Sequence, residues 1–306
     1  MNHKYFLFFF IFLATSLINA QDSTDTDEWG NKHWRKHKWK WDWNWDFDDF
    51  YSDVDRRPMI EINYGLGNPK HKNFSNDFSK IGALEFKIGF SRLKSNCEDE
   101  KNNYINELDD KYLFFSKLST NLLSDKSKIN GLTSDLIRFG FGRKEGYGYN
   151  LGFISIIPYH SDAFFWSELK EFDKSALVSP AEIKIAKRYL DNFRFSTLAE
   201  GGIKFEFAKT ISFDASYETA VIFPRYQIWK HLGSLAIEAG GYSLIDNFVD
   251  KIFERSSPAA PIVNFILKNG YSYGFYLLKR EKVNWPFKTE TPLTYETFKF
   301  GVTFLF

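Results

Sequence analysis

His160-Ser161-Asp162 sets a base, a hydroxyl and an acid side by side in a chain of 306 residues. Ester hydrolysis by such a set needs the imidazole within hydrogen-bond reach of the hydroxyl. Adjacent residues of an extended strand point to opposite faces, so the spacing predicts that Ser161 turns away from His160. His33 and His37 have the i, i+4 separation that places two ligands on one helical face. The cations Arg35, Lys36 and Lys38 would repel a metal there, and the stretch reads as a solvated basic strip. Cys97, alone, has no partner for an internal disulfide and reads as an incidental thiol in a polar turn. No calcium loop, zinc spacing or nucleophile elbow occurs. These residues assign no catalytic, cofactor-binding or metal-binding site, and no enzyme activity.

Composition narrows the class. Forty basic residues stand against 39 acidic ones, a formal net charge of +1, without the clustered basic excess expected of a nucleic-acid binder. Aromatic content is high, with 34 Phe, 16 Tyr and 9 Trp. A short positive region (His3, Lys4), an apolar run from Tyr5 to Leu13 and small residues up to Ala20 predict a secretory signal peptide over 1–20. Residues 21–56 form a low-complexity leader that runs from basic to acidic. From Trp39 to Phe47 aromatic and polar residues alternate in it. Extended, that strip would place its indoles at a lipid headgroup level, on a protein or on sugars; a disordered periplasmic leader is the other reading.

The positioning elements are strands. Ile60 to Leu66, Leu84 to Ser91, Ile137 to Gly142, Tyr149 to Phe153, Ile203 to Phe207, Ile211 to Thr219 and Phe298 to Phe306 each alternate with period two, and Tyr112 to Leu118, less regular, is an eighth strand candidate. Arg143–Tyr147 and Ala208–Thr210 read as short turns, and 93–110 as a long polar link. Residues 67–80, 119–133, 158–195 and 223–292 read as longer loops on the opposite side. Within them Pro180 to Phe193 predicts a helix with Ser179 as N-cap. Leu244 to Arg255 has helical periodicity, and Ser257 to Lys268 would be a second helix closed by Asn269-Gly270. Leu232 to Leu244 and Tyr271 to Leu278 would serve equally as strands, so eight strands with a helical insertion over about 225–282 competes with ten.

The terminal stretch Phe298-Lys-Phe-Gly-Val-Thr-Phe-Leu-Phe306 resembles the closing strand of bacterial outer-membrane β-barrel proteins. That resemblance covers 57–306 and implies an antiparallel transmembrane β-barrel in the bacterial outer membrane. Phe298, Phe300, Phe304 and Phe306 would be its assembly signal. It further implies barrel-assembly machinery, periplasmic chaperones, membrane lipid and lipopolysaccharide as partners, and no cofactor. In such a barrel the apolar face meets lipid and the other face lines the lumen. The lumen candidates are Glu61, Glu85, Lys87, Lys117, Arg138, Lys204, Glu206, Asp214, Glu218 and Lys299, with Gly140 and Gly142 as small lumen residues. An eight-stranded lumen is just wide enough to fill with side chains, and acids and bases there would pair. The His160-Ser161 pair departs from the lipid A deacylase pattern, in which the Ser stands two positions after the His. The expected function is a structural, adhesive or ligand-binding barrel; the alternatives are a porin-like transporter for a small or hydrophobic solute and a rim lipid esterase.

Overall fold

The computed structural model describes residues 56–95, 104–123, 131–172 and 179–306. The signal peptide, the Trp-rich leader, His33, His37 and Cys97 lie outside the described residues. Eight strands follow one another: β1 (Arg57–Lys70), β2 (Ile81–Ser95), β3 (Ile105–Ser119), β4 (Ser134–Asn150), β5 (Ile154–Phe172), β6 (Phe193–Phe207), β7 (Ile211–Ile222) and β8 (Leu293–Leu305). Each pairs antiparallel with its neighbours, and β8 pairs back onto β1, so the sheet is a closed barrel.

The register fixes its shape. The line of paired residues runs Met59, Gly89, Tyr112, Gly142, Ala163, Leu198, Ala220, Tyr295 and returns to β1 at Pro69. Closing ten residues further along than it began gives a shear of ten. Such a stagger on eight strands requires a strand tilt of roughly 40°.

Several strand limits differ from the sequence reading. Arg143–Tyr147 is no turn; it lies inside β4, and the chain reverses at 151–153, where Gly152 takes φ +87°. Tyr149 therefore belongs to the end of β4. Both ends of the stretch read as a loop over 158–195 are strand: its first part is the body of β5 and its last residues start β6. The 93–110 link is shortened from both sides by β2 and β3. The turn at Ala208–Thr210 stands as read.

Among the described residues three α-helices lie outside the sheet. Helix α1 (Pro180–Ala186) is shorter than its apolar pattern suggested. Its capping box joins the Ser179 hydroxyl and the Glu182 carboxylate, with proline in the first turn. Helices α2 (Ile228–Ser256) and α3 (Ala260–Glu281) form an antiparallel hairpin, turned by the short 3₁₀ segment Ser257–Ala259. Asn269-Gly270 does not cap a helix; α3 runs through it. Leu232–Leu244 and Tyr271–Leu278 are helical, and the sheet closes with eight strands rather than ten. The hairpin does not stand above the barrel. It descends along the outer wall, with α3 against β4, β5, β6 and β7.

Towards the upper end of the lumen Ile81, Leu118, Leu136, Phe165, Ile222, Leu293 and Tyr295 pack together, with the buried hydroxyls of Ser167 and Ser196 paired among them. Ala186 and Tyr189 from the α1 loop and Leu132 from the β3–β4 loop join this cluster, with Phe74 and Phe78 packed on it. The loops thus cap the barrel end.

Candidate functional site

Below that cap the lumen holds an ion network with no exposed member. One centre is the Lys299 ammonium, whose Nζ donates to Glu85 Oε1 at 2.8 Å, Glu200 Oε2 at 2.5 Å and Glu218 Oε2 at 2.8 Å. These three carboxylates converge as a divalent-metal site would, and the lysine supplies the positive charge at their middle. Arg138 grips Glu218 with both terminal nitrogens (2.5 and 3.1 Å), reaches Glu85 at 3.2 Å and donates Nε–H to Ser116. Its guanidinium also lies over Phe165, 5.5 Å from the ring centre, at the boundary with the apolar layer.

A second centre is Glu61. Lys87 and Lys144 approach its two oxygens at 3.0 and 2.9 Å, and Asn63 and Thr303 donate to it. Lys144 also meets Asp214 at 3.2 Å and sits over the Tyr159 ring. Lys87 bridges the two centres, 3.5 Å from both Glu85 and Glu200. Nearer the lower mouth, Lys204 pairs with Asp110 and Arg57 with Glu206. Taking so many charges out of water is tolerable only because each has opposite charge and hydrogen bonds at contact distance.

Of the sequence candidates, Glu61, Glu85, Lys87, Arg138, Lys204, Glu206, Asp214, Glu218 and Lys299 all lie buried inside the barrel. Lys117 does not: it projects from the outer wall, its side chain 45% exposed beside Asp135. It stands on the outward parity of β3, whose inward residues are Tyr112, Phe114, Ser116 and Leu118. Gly140 and Gly142 face inward, where a Cβ would collide with Phe165 and with Tyr112. Four charged members of the network escaped the sequence reading: Arg57, Asp110, Lys144 and Glu200. Lys144 continues the even-numbered inward series of Arg138, Gly140 and Gly142, so extending that alternation would have found it. Phe298, Phe300, Phe304 and Phe306 project outward from the end of β8 and are exposed.

On the outer wall His160 is buried under the hairpin. Asp162 Oδ2 (2.8 Å) and the Tyr242 hydroxyl (3.0 Å) both meet its Nε2, and Asn269 Oδ1 lies 2.9 Å from its Nδ1. Ser161 points the other way, into the lumen, donating to the Arg143 carbonyl at 2.8 Å with its oxygen also 2.8 Å from the Tyr112 hydroxyl. The barrel wall separates the two side chains, so they form no nucleophile–base pair. Close by, Lys268 of α3 ion-pairs with Glu145 of β4 and lies 2.8 Å from Asp246 of α2. This polar cluster locks the hairpin to the wall.

The surface is the inverse of the interior. Ile62, Leu66, Phe86, Ile88, Leu113, Phe115, Phe298 and Phe300 form an exposed apolar belt around the outside.

No protein-family model and no curated protein matches the sequence. Among solved structures, the chain is similar to Neisserial surface protein A at 7% identity, covering 81% of this chain and 97% of that one, with a TM-score of 0.37. It is also similar to Ail, the attachment invasion locus protein of Yersinia pestis, at 10% identity, covering 83% and 100%, with a TM-score of 0.31. At these TM-scores the likenesses add no argument to what the closed barrel itself shows.

Proposed function

We propose that this chain is an exported outer-membrane barrel with a sealed lumen, acting as a structural or surface-presenting protein rather than as a pore or an enzyme. The observation that carries the reading is the inverted distribution of polarity. Charged side chains fill the inside, and large apolar side chains cover the outside. In water that exterior would be a far larger apolar surface than soluble proteins expose; in a bilayer it is the lipid-facing belt. A solute path would have to cross the Lys299 and Glu61 centres and the apolar cap, both close-packed. Phe298, Phe300, Phe304 and Phe306 fit the terminal signature that assembly machinery reads. Surface presentation, whether adhesive or ligand-binding, would fall to the capping loops and the upper end of the hairpin.

The test uses full-length protein extracted from outer membranes. Unheated protein is expected to migrate faster on cold SDS gels than boiled protein, and to give no stable conductance steps in planar bilayers. A soluble periplasmic protein without a mobility shift would sink the membrane assignment. Discrete ohmic channels from the shifted form would sink the sealed lumen and favour the transporter.

A further inference from the structure

We infer that the α2–α3 hairpin is a membrane-embedded second layer of the barrel wall, its outer face made for acyl chains. The inference rests on the membrane reading above. Three observations carry it.

The first is the wall beneath the hairpin. Followed round the barrel with its shear, His160 lies about level with Ile88 and Val302, which belong to the apolar side. Yet β4–β6 present Glu145, His160 and the small residues Ala199 and Gly201 there. A charge bare to hydrocarbon is costly, and small residues leave a shallow bed. The hairpin fills that bed: Asn269 occupies the space a Cβ on Gly201 would need, and its Nδ2 donates to the Tyr159 carbonyl.

The second is which way the hairpin's own charges face. Lys268 and Lys279 are buried, paired with Glu145 and Glu238 respectively. Outward stand Ile237, Leu244, Ile266 and Tyr273, all exposed. An amphipathic hairpin lying in water would reverse this order. The third is where the apolar face of α2 ends. Its exposed residues become charged at Asp250, Lys251, Glu254 and Arg255. That is the tip, pinned where Tyr149 at the end of β4 donates to the Pro258 carbonyl. Trp229, 84% exposed, marks the opposite end, as interfacial indoles do. Among the described residues no helix is long and apolar enough to cross a membrane alone. Backed by the barrel wall, neither helix has to, because its polar face never meets lipid.

The experiment places single environment-sensitive labels on the full chain in a Cys97→Ser background. The sites are Leu244→Cys and Ile266→Cys on the hairpin and Phe86→Cys on the barrel belt, all exposed positions. Each protein, shown to be heat-modifiable, is reconstituted in phosphatidylcholine–phosphatidylglycerol vesicles with brominated acyl chains. The expected result is blue-shifted emission at 244 and 266, quenched as strongly as at 86. Water-like, unquenched emission at 244 and 266 with quenching at 86 overturns the hairpin inference and leaves the membrane barrel standing. Loss of quenching at 86 as well overturns both.

Discussion

Lys299 holds three carboxylates from three different strands, and its replacement shows what a buried charge network costs. In Lys299→Met the side chain keeps its bulk, but Glu85, Glu200 and Glu218 are left facing one another. Breaking a buried set in this way costs about 3 kcal/mol or more. The gel-shifted form of the variant is therefore expected to unfold at clearly lower urea. Lys117→Met, on the outer wall, removes only an exposed pair and is expected to leave the midpoint within about 0.5 kcal/mol of the parent. Equal effects would show that the inward assignment is wrong. A second residue couples the cap to pH. His71 packs edge-on to Phe74, ring centres 4.9 Å apart, and its Nδ1 accepts the Asn73 N–H. Burial, and to a lesser degree the Arg188 charge, lower its pKa from the usual 6.5 to about 4. A folded-state pKa below the unfolded one gives stability that is complete above about 6.5 and is lost as pH falls towards 4. Amide exchange around 71–78 and 186–190, corrected for its intrinsic pH dependence, should accelerate over that window while the lumen strands do not change. His71→Phe should remove the acceleration.

At the scale of elements, the β6–β7 turn is built against residue preference. Ala208 and Lys209 both take positive φ, +46° and +60°. They are the central pair of a tight turn in which the Thr210 N–H donates to the Phe207 carbonyl, and positive φ at both positions favours Asn-Gly. Ala208→Asn with Lys209→Gly should stabilise the barrel by about 1–2 kcal/mol, read as a higher urea midpoint. No change, or a loss, would mean the turn is not held in that conformation. The turn itself was legible from sequence, as were β1, β2, β7 and β8, because their outer faces carry apolar residues at successive alternate positions, as in Ile60 to Leu66, Leu84 to Phe90, Ile211 to Tyr217 and Phe298 to Phe304. The lower part of β4, most of β5 and the start of β6 were not, and the cause is one and the same. The hairpin covers that wall, so the outward positions Glu145, His160, Ala199 and Gly201 are polar or small and the period-two signal vanishes. A turn at Arg143–Tyr147 and a loop over 158–195 were the natural misreadings. The hairpin in turn resembled strands because its outer face is apolar where a water-facing helix would be charged.

For the whole molecule, the same inversion operates twice, once through the sheet and once through the hairpin. In both layers buried charges meet partners on the inner side, and large apolar groups dominate the outer one. The apolar cap over the charged lumen then makes the two barrel ends unequal. The lower mouth is edged by the Arg57–Glu206 pair, whereas the upper one is closed by Tyr189, Leu132 and the loop aromatics. Activity at the upper end would therefore be a surface property of loops and helix ends, with no passage behind them. Of the candidate site, the inward charges could be read residue by residue from alternation. Their partnership could not, because Lys299 and Glu85 lie 214 positions apart and meet only when the ring has closed.

The arrangement around Lys299 also has a historical meaning. A lineage cannot exchange this lysine for a neutral residue and keep Glu85, Glu200 and Glu218 as they are. Descendants of this sequence should inherit these four positions, spread over β2, β6, β7 and β8, as a linked set. The outward aromatics of the same strands are held only to being apolar and are free to drift one at a time.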